Sequence, residues 1–165
     1  MLFRSAAIEG HCIGGGVALA VSLDFRICGQ GAHFRVPEIA LGMNMSWGSL
    51  PRMVQLMGPA RAKQAVILAS DRITSDTAAR WGLVEEVVAD GTALTTARAL
   101  ADRIAAQPPL PVMMTKTTIN RIAGALDDVA SHMDRDQFAL TSLSEDHAEG
   151  VAAFLGRRPP RFKGR

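Results

Sequence analysis

Three consecutive glycines, Gly14-Gly15-Gly16, form the stretch with the clearest potential for chemistry. They lie between a short apolar segment that ends at Ile8 and a longer apolar run over residues 17–23. Because glycine has no Cβ, other groups can approach its backbone closely. A helix that begins at such a turn presents unpaired N–H groups at its positive end, which suits an anion or an oxygen that becomes negative during a reaction. The alternative is a tight strand-to-helix turn whose glycines serve packing alone.

Glu38 is the carboxylate best placed to exchange protons, because it lies in the apolar segment Val36-Pro37-Glu38-Ile39. Apolar surroundings disfavour the charged form and raise the pKa of a carboxyl group, so that it can act as a general acid or base near neutral pH. The alternative is a partly exposed glutamate in the first turn of a short helix, stabilised by the helix dipole.

Metal, nucleotide and serine-hydrolase chemistry are disfavoured. His11, Cys12, Cys28 and His33 do not have the spacing of a zinc motif. We therefore expect no metal and predict that these four side chains pack in the core, with both cysteines as buried thiols. No P-loop, complete Gly-x-Gly-x-x-Gly or Gly-x-Ser-x-Gly motif is present.

Composition fits one globular domain: 165 residues, 48% hydrophobic and 21% charged, with a net charge of +2. So balanced a charge gives no general attraction to nucleic acid or to an anionic membrane. The apolar run over residues 13–23 is far shorter than the ~20 residues that cross a bilayer, and no secretory signal is visible. We expect a cytoplasmic protein with no nucleic-acid or membrane partner.

Short strands and helices alternate in the first third of the chain, and the last half is almost wholly helical. Periodicity and capping signals predict strands over 5–8, 24–28, 33–36 and 83–88. They predict helices over 16–23, 49–57, 60–69, 76–81, 92–107, 112–126, 127–143 and 145–155. Ser75 and Ser144 are the expected N-caps of two of these helices, and His132 and His147 are expected on helix surfaces. Residues 42–48 read as a methionine-rich loop.

The sequence resembles the crotonase (enoyl-CoA hydratase/isomerase) superfamily. The resemblance is carried by Gly10-His11-Cys12-Ile13-Gly14-Gly15-Gly16, Asp24-Phe25-Arg26-Ile27, Phe34-Arg35-Val36-Pro37-Glu38-Ile39, Ala78-Ala79-Arg80-Trp81-Gly82-Leu83-Val84 and Glu149-Gly150-Val151-Ala152-Ala153-Phe154. It covers nearly the whole chain from about Ala6. It implies an α/β fold with part of a ββα spiral over residues 1–90, and a helical region over 91–165 that contacts CoA and mediates a homo-trimer or hexamer.

An acyl-CoA thioester is the substrate that the resemblance implies, with no separate cofactor. The middle glycine, Gly15, would supply one backbone N–H to the oxyanion hole, and Glu38 would be the catalytic acid/base. Family hydratases have a second glutamate where this chain has Ala18. A single glutamate at the position of Glu38 is similar to the isomerase pattern, in which one base moves a proton between carbons.

Other residues take their expected roles from the same resemblance. Met45 and Trp47 would line the acyl pocket, and Phe138 and Arg157 fall where family members contact the CoA adenine and phosphate. Family members also carry a long N-terminal region that supplies the other oxyanion N–H. Its absence here, together with Ala18, leaves open the alternative of a truncated, non-catalytic fragment that only binds acyl-CoA or oligomerises. The loop over residues 42–52 departs from the glycine-rich segment of the family, and this leaves open a further alternative, a crotonase-fold hydrolase or dehalogenase.

Overall fold

Two three-stranded sheets form the first part of the chain. A computed structural model describes residues 3–69 and 71–165. Its strands are β1 (Ser5–Ile8), β2 (His11–Ile13), β3 (Phe25–Gly29), β4 (His33–Arg35), β5 (Ile73–Thr74) and β6 (Glu86–Val88). The first sheet has the parallel order β1-β3-β6. The second has the order β2-β4-β5, in which β4 pairs in parallel with β2 and antiparallel with β5.

Helices connect the strands and make up most of the second half. They are α1 (Gly15–Val21), α2 (Ser49–Ile67), α3 (Ser75–Trp81), α4 (Ala93–Ala105), α5 (Pro109–Ala123), α6 (Ser131–Ser142) and α7 (Glu145–Leu155). Two 3-10 helices cover Glu38–Leu41 and Asp127–Val129. The two helices expected on either side of residue 58 form α2, and Gly58 keeps a non-helical conformation at the kink between them.

Successive strand-strand-helix units wind into a spiral. In the unit β1-β2-α1 the first strand joins one sheet and the second strand joins the other, and β3-β4 with the Glu38–Leu41 helix repeats this arrangement. The register pairs Ser5 with Phe25 and His11 with His33. The predicted α/β spiral is therefore confirmed. The division at residue 90 stays a prediction, and α4 packs through Ala93 and Ala97 on Ile27 of β3.

Two sequence predictions about the strands are wrong. The three-residue β2 was not predicted, because it merges into the glycine-rich turn and is too short to show a period. The alternation over residues 24–28 predicted a half-buried strand, whereas Arg26, Ile27 and Cys28 are all buried. The first sheet is covered on both faces, by the main core on one side and by α4 on the other, so alternation does not separate core from solvent here.

Helix ends also differ from expectation. Thr74, not Ser75, caps α3, and its Oγ1 accepts the N–H of Thr77. The helix predicted over residues 112–126 begins earlier, at Pro109, because a proline in the first turn loses no helical hydrogen bond. The last predicted strand is reduced to β6, since the backbone before it turns to bury Leu83 and Val84. Ser144 caps α7 as predicted.

Arg26 is the largest fully buried side chain in the described part of the chain, with 1% of its surface exposed. Its Nε donates to the carbonyl of Leu83 at 2.9 Å, and its Nη1 donates to that of Leu23 at 2.8 Å. Nη2 forms an ion pair with Glu85. A buried guanidinium is tolerated only when its charge and donors are matched, so this side chain joins β3 to the segment that leads into β6.

Arg26→Ala should lower the free energy of unfolding by about 3–5 kcal/mol, the range expected when one partner of a buried charged network is removed. The variant leaves two carbonyls without their donor and opens a cavity beside β3. Urea unfolding monitored by circular dichroism measures the loss. Arg98→Ala, at an exposed position of α4, is the matched control and should stay within about 0.5 kcal/mol of the parent. A similar loss in both variants would contradict the prediction.

Candidate active site

The glycine turn links β2 to α1 and is fixed to β4. Gly14 precedes the helix with φ 54° and ψ −114°, a conformation that favours glycine. Its N–H donates to the carbonyl of Arg35 at 2.9 Å, and its own carbonyl accepts the N–H of Ala18 at 3.1 Å. The N–H of Gly15 belongs to the first turn of α1, where helix geometry provides no acceptor. This group is therefore available in principle to an oxygen from outside the helix.

Glu38 lies directly against this turn. It begins the 3-10 helix that follows β4, and its Oε1 is only 2.9 Å from the position that a Cβ on Gly14 would take. The Cδ atom of Pro37 is 3.8 Å from the same position. The structure thus brings the predicted acid/base and the predicted oxyanion turn together, and the missing side chain at Gly14 makes the room for the carboxyl group.

The carboxyl group of Glu38 is held in apolar surroundings. The residue is 5% exposed, and Oε2 is buried without a hydrogen-bond partner in the part of the chain that the structure describes. Burial raises the pKa of Glu38, and a hydrogen bond with its own backbone opposes part of that rise. A carboxyl group in this state can both take up and release a proton at pH values nearer neutrality than an exposed glutamate can.

The two predicted acyl-pocket residues lie in different environments. Trp47 has a left-handed backbone (φ 65°) and is 63% exposed, and its Cη2 atom is 3.9 Å from where a Cβ on Gly15 would lie. The indole ring therefore lies beside the glycine turn. Met45 is fully buried and borders a cavity of about 430 Å³ that is also lined by Pro51 and Met133.

The two predicted CoA contacts lie on separate elements. Phe138 is half-buried on α6, and Arg157 is exposed just after α7 with φ 49°. No hydrogen bond within residues 3–69 and 71–165 joins either residue to the glycine turn or to Glu38. Ala18, where the resemblance predicts the second glutamate of family hydratases, is a buried residue of α1. Its methyl group cannot transfer a proton, so the geometry provides one carboxyl group at this turn, that of Glu38.

The histidines depart from the prediction of core packing. His11 is exposed and His33 is half-buried, and Nδ1 of His11 lies 2.8 Å from Nε2 of His33 across the β2–β4 pair. Burial, and then the charges of Arg72 and His11, lower the pKa of His33. The described residues include no group of three or more His, Cys, Asp or Glu side chains suited to a metal ion.

The cysteines agree with the prediction. Cys12 and Cys28 are buried free thiols, and burial raises the pKa of each to about 11. Such thiols remain protonated at neutral pH and are poor nucleophiles.

The described helices include none that is both long and apolar enough to span a bilayer.

The sequence predicted α7 but not its contact with the 3-10 helix that begins at Glu38. His147 was expected at the surface, but it is half-buried, and its Nδ1 lies 2.8 Å from the carbonyl oxygen of Leu41, at the end of the Glu38 helix. Gly42 and Gly150 lie at the same contact. The signal in the sequence was that Glu38 and Glu149-Gly150 both belong to segments that carry the family resemblance. The side chain of His132 lies outside the described residues.

Comparison with known proteins gives one consistent result. The family model for enoyl-CoA hydratase/isomerase matches residues 5–165. The chain is 36% identical over 157 residues to crotonyl-CoA hydratase of Syntrophomonas wolfei, covering 95% of this chain and 60% of that protein. It is 32% identical over 160 residues to 2,3-dehydroadipyl-CoA hydratase of Escherichia coli, covering 97% of this chain and 62% of that protein.

Solved structures show the same fold. The crystal structure of carnitinyl-CoA hydratase from Mycobacterium avium matches with a TM-score of 0.89 at 34% identity, covering 98% of this chain and 62% of that one. An enoyl-CoA hydratase from Mycobacterium avium subsp. paratuberculosis gives a TM-score of 0.89 at 26% identity, with 96% and 64% covered. The chain therefore spans about three-fifths of the length of the relatives that it matches.

Alanine substitutions at Gly14 and at Gly16 should have different effects on the free energy of unfolding. Gly14→Ala should lower the free energy of unfolding by about 1–3 kcal/mol, because it forces a strained backbone conformation and places Cβ 2.9 Å from the Glu38 carboxyl group. Gly16→Ala is the matched control: its Cβ would lie 3.7 Å from Sγ of Cys12, an ordinary contact, and alanine favours the helix by about 0.5–1 kcal/mol. Equal losses of stability in urea unfolding would contradict this geometry.

Glu38 should make the fold less stable as the pH rises. The unfolded chain releases this proton near pH 4.3, whereas burial keeps it bound to a higher pH in the folded chain. The free energy of unfolding of the parent therefore falls as the pH rises from the pKa of the unfolded chain through the pKa of the folded chain. Glu38→Gln has no carboxyl group at this position and shows no such fall. The variant should be the more stable protein at neutral pH, and the difference should shrink toward pH 4. Urea unfolding at a series of pH values measures it.

Glu149→Gln provides the opposite control. A hydrogen bond from Arg158, followed by one from the backbone of Arg161, lowers the pKa of Glu149 to about 2. Its ionised form therefore favours the fold above the pKa of the unfolded chain, and the contribution disappears as the pH falls toward 2. Glu149→Gln should be less stable than the parent at neutral pH. If both variants shifted stability in the same direction, the burial of Glu38 would not be the cause.

Proposed function

Because the chain belongs to the enoyl-CoA hydratase/isomerase family, we propose that it acts on an acyl-CoA thioester, with Gly15 and Glu38 working on the same substrate. The observation that supports this most strongly is the position of the Glu38 carboxyl group against the glycine turn. The relatives named above are hydratases of crotonyl-CoA and 2,3-dehydroadipyl-CoA, which favours an unsaturated acyl chain and a reaction of the lyase or isomerase type.

In the proposed mechanism, the N–H of Gly15 donates a hydrogen bond to the thioester carbonyl oxygen. The ionised Glu38 removes a proton from an activated carbon of the acyl chain, and the electron pair moves onto that oxygen to give an enolate. The positive end of α1 stabilises the new negative charge. Glu38 then returns the proton to another carbon, and the carbonyl re-forms. Loss of a single oxyanion donor typically costs about 10²–10³ in rate, so the second donor that family members draw from their N-terminal region matters for full activity.

Ala18 favours proton shuttling over the two-carboxylate addition of water. Hydration requires one group to activate water and another to supply a proton to carbon, and the methyl group of Ala18 can do neither. With Glu38 alone, movement of a proton between two carbons of the acyl chain is the simplest reaction. The reaction needs no cofactor besides the CoA thioester itself.

Met45 and Trp47 would shape the acyl end of the site. Trp47 has the better support, because its ring lies beside the Gly15 position. Phe138 on α6 and Arg157 after α7 would contact the adenine and a phosphate of CoA. An exposed arginine suits a phosphate.

A homo-trimer or hexamer would cover the apolar side chains that the second half exposes. Ile122, Leu126 and Leu140 are each more than 70% exposed, and so large a set of exposed apolar residues commonly marks an interface. Sedimentation equilibrium should therefore detect a trimer or a multiple of it, and a monomer at micromolar concentration would contradict the assembly.

The proposed location of the protein is the cytoplasm.

A non-catalytic fragment that only binds acyl-CoA or oligomerises is the second candidate. The alanine at position 18 favours it, because the methyl group cannot transfer a proton. A crotonase-fold hydrolase, suggested by the unusual loop around Trp47, is a third. Incubation of the 165-residue chain with crotonyl-CoA and its β,γ-isomer in D₂O separates them: proton exchange without hydration supports the shuttle, CoA release supports a hydrolase, and no reaction supports the fragment.

Glu38→Gln should abolish turnover of an enoyl-CoA while leaving binding of the CoA ester intact. General acid/base groups typically contribute about 10²–10⁴ in rate, so a loss of at least about 10²-fold is expected. Absorbance at the thioester band measures turnover, and calorimetry with the same ester measures binding. Glu86→Gln, at an exposed position of β6, is the matched control and should keep full activity. Retained turnover in Glu38→Gln would reject the assignment.

A further inference from the structure

The backbone sets the position of the Glu38 carboxyl group. Oε2 has no hydrogen-bond partner among the described residues, and the hydrogen bond that influences the pKa of this group goes to its own backbone. Within the described part of the chain, no side-chain hydrogen bond therefore holds Oε2 against the glycine turn. Whatever holds the 3-10 helix Glu38–Leu41 in place also holds the proposed acid/base.

Helix α7 packs against that 3-10 helix with almost no side chain between the two backbones. Gly42 ends the 3-10 helix with φ +70°, and a Cβ there would lie 2.6 Å from the carbonyl oxygen of Asp146 and 2.7 Å from Cα of His147. A Cβ on Gly150 would lie 2.7 Å from the carbonyl carbon of Leu41. All three distances are far below an ordinary contact, so each glycine is required for this approach.

His147 forms the polar link in the same contact. Because a carbonyl oxygen can only accept, Nδ1 of His147 donates to Leu41 at 2.8 Å. The next N–H groups of this turn are already used: that of Gly42 donates to Ile39, and that of Met43 donates to Glu38. His147 thus satisfies the carbonyl at the end of the helix.

The other side of α7 is anchored by the C-terminal segment. The Asp146 carboxylate accepts the N–H groups of Lys163 and Gly164 at 2.6 and 2.7 Å, and its own N–H donates to the carbonyl of Arg165. The hydroxyl of Ser144 accepts the N–H of His147. The C-terminal segment therefore fixes the first turn of α7, and the same turn contacts the Glu38 helix on its other side.

We propose that His147 and Gly150 are positioning residues for Glu38, and that α7 holds the 3-10 helix where the carboxyl group stays buried against Gly14. The role in turnover rests on the proposed function, whereas the positioning itself does not. A displacement of about 1 Å at a reacting group can cost about 10² in rate. A methyl group at Gly150 would push the two backbones apart by a distance of that order, since its contact with Leu41 would be 2.7 Å.

The test follows the ionisation of Glu38 directly. Carbon NMR of the chain labelled at its six glutamates resolves their carboxyl titrations, and Glu38→Gln identifies the signal of Glu38. His147→Leu removes the donor at similar volume, His147→Asn keeps an N–H near the position of Nδ1, and Gly150→Ala separates the backbones. In the Leu and Ala variants water should reach the carboxyl group, and its pKa should fall toward the ordinary range of a glutamate. His147→Asn should retain the parental titration.

Ala152→Ser, at an exposed position of α7, is the control and should leave the titration unchanged. An unaltered Glu38 titration in both His147→Leu and Gly150→Ala would overturn the proposal, as would an ordinary pKa in the parent. If Gly150→Ala fails to fold, the pair of His147 variants decides. Should Glu38→Gln keep its turnover while His147→Leu shifts the titration, the proposed function fails and the positioning role stands.

Discussion

The contact between the Glu38 carboxyl group and Gly14 is the constraint on which the candidate site depends. Oε1 occupies space that any side chain at position 14 would fill. The carboxyl group is buried at this contact, and burial raises its pKa. The position of the carboxyl group, its burial and its proton affinity are therefore linked.

Parallel strand pairing explains why residues 14 and 38 meet. β2 and β4 pair in parallel with Ile13 opposite Arg35, so their carboxyl ends lie side by side. The turn after β2 carries the glycines, and the turn after β4 carries Glu38. The hydrogen bond from Gly14 to Arg35 fixes the two turns to each other. The spiral thus aligns equivalent points of successive strand-strand-helix units, and the site uses one point from each unit.

Local patterns predicted well wherever a single face of an element is covered. The cap of α7 at Ser144 and the break of α2 at Gly58 follow from side-chain and backbone chemistry within a few residues. The alternation around Arg26 gave the wrong result, because α4 covers the second face of β3 from a distant part of the chain. Periodicity shows how many faces of a helix or strand are apolar over a short stretch of sequence. It does not show whether a segment from later in the chain covers the opposite face.

The sequence by itself determined the glycine turn, the apolar setting of Glu38, most helices and the family, because each is written in contiguous residues or in a recognisable motif. Only the tertiary structure decided that Glu38 touches Gly14, that Trp47 lies beside Gly15 while Met45 is buried, and that His147 supports Leu41. These contacts join segments up to a hundred residues apart, and they depend on helix positions set by the whole core. A side chain's type defines what it can bind, whereas packing alone defines what lies within its reach.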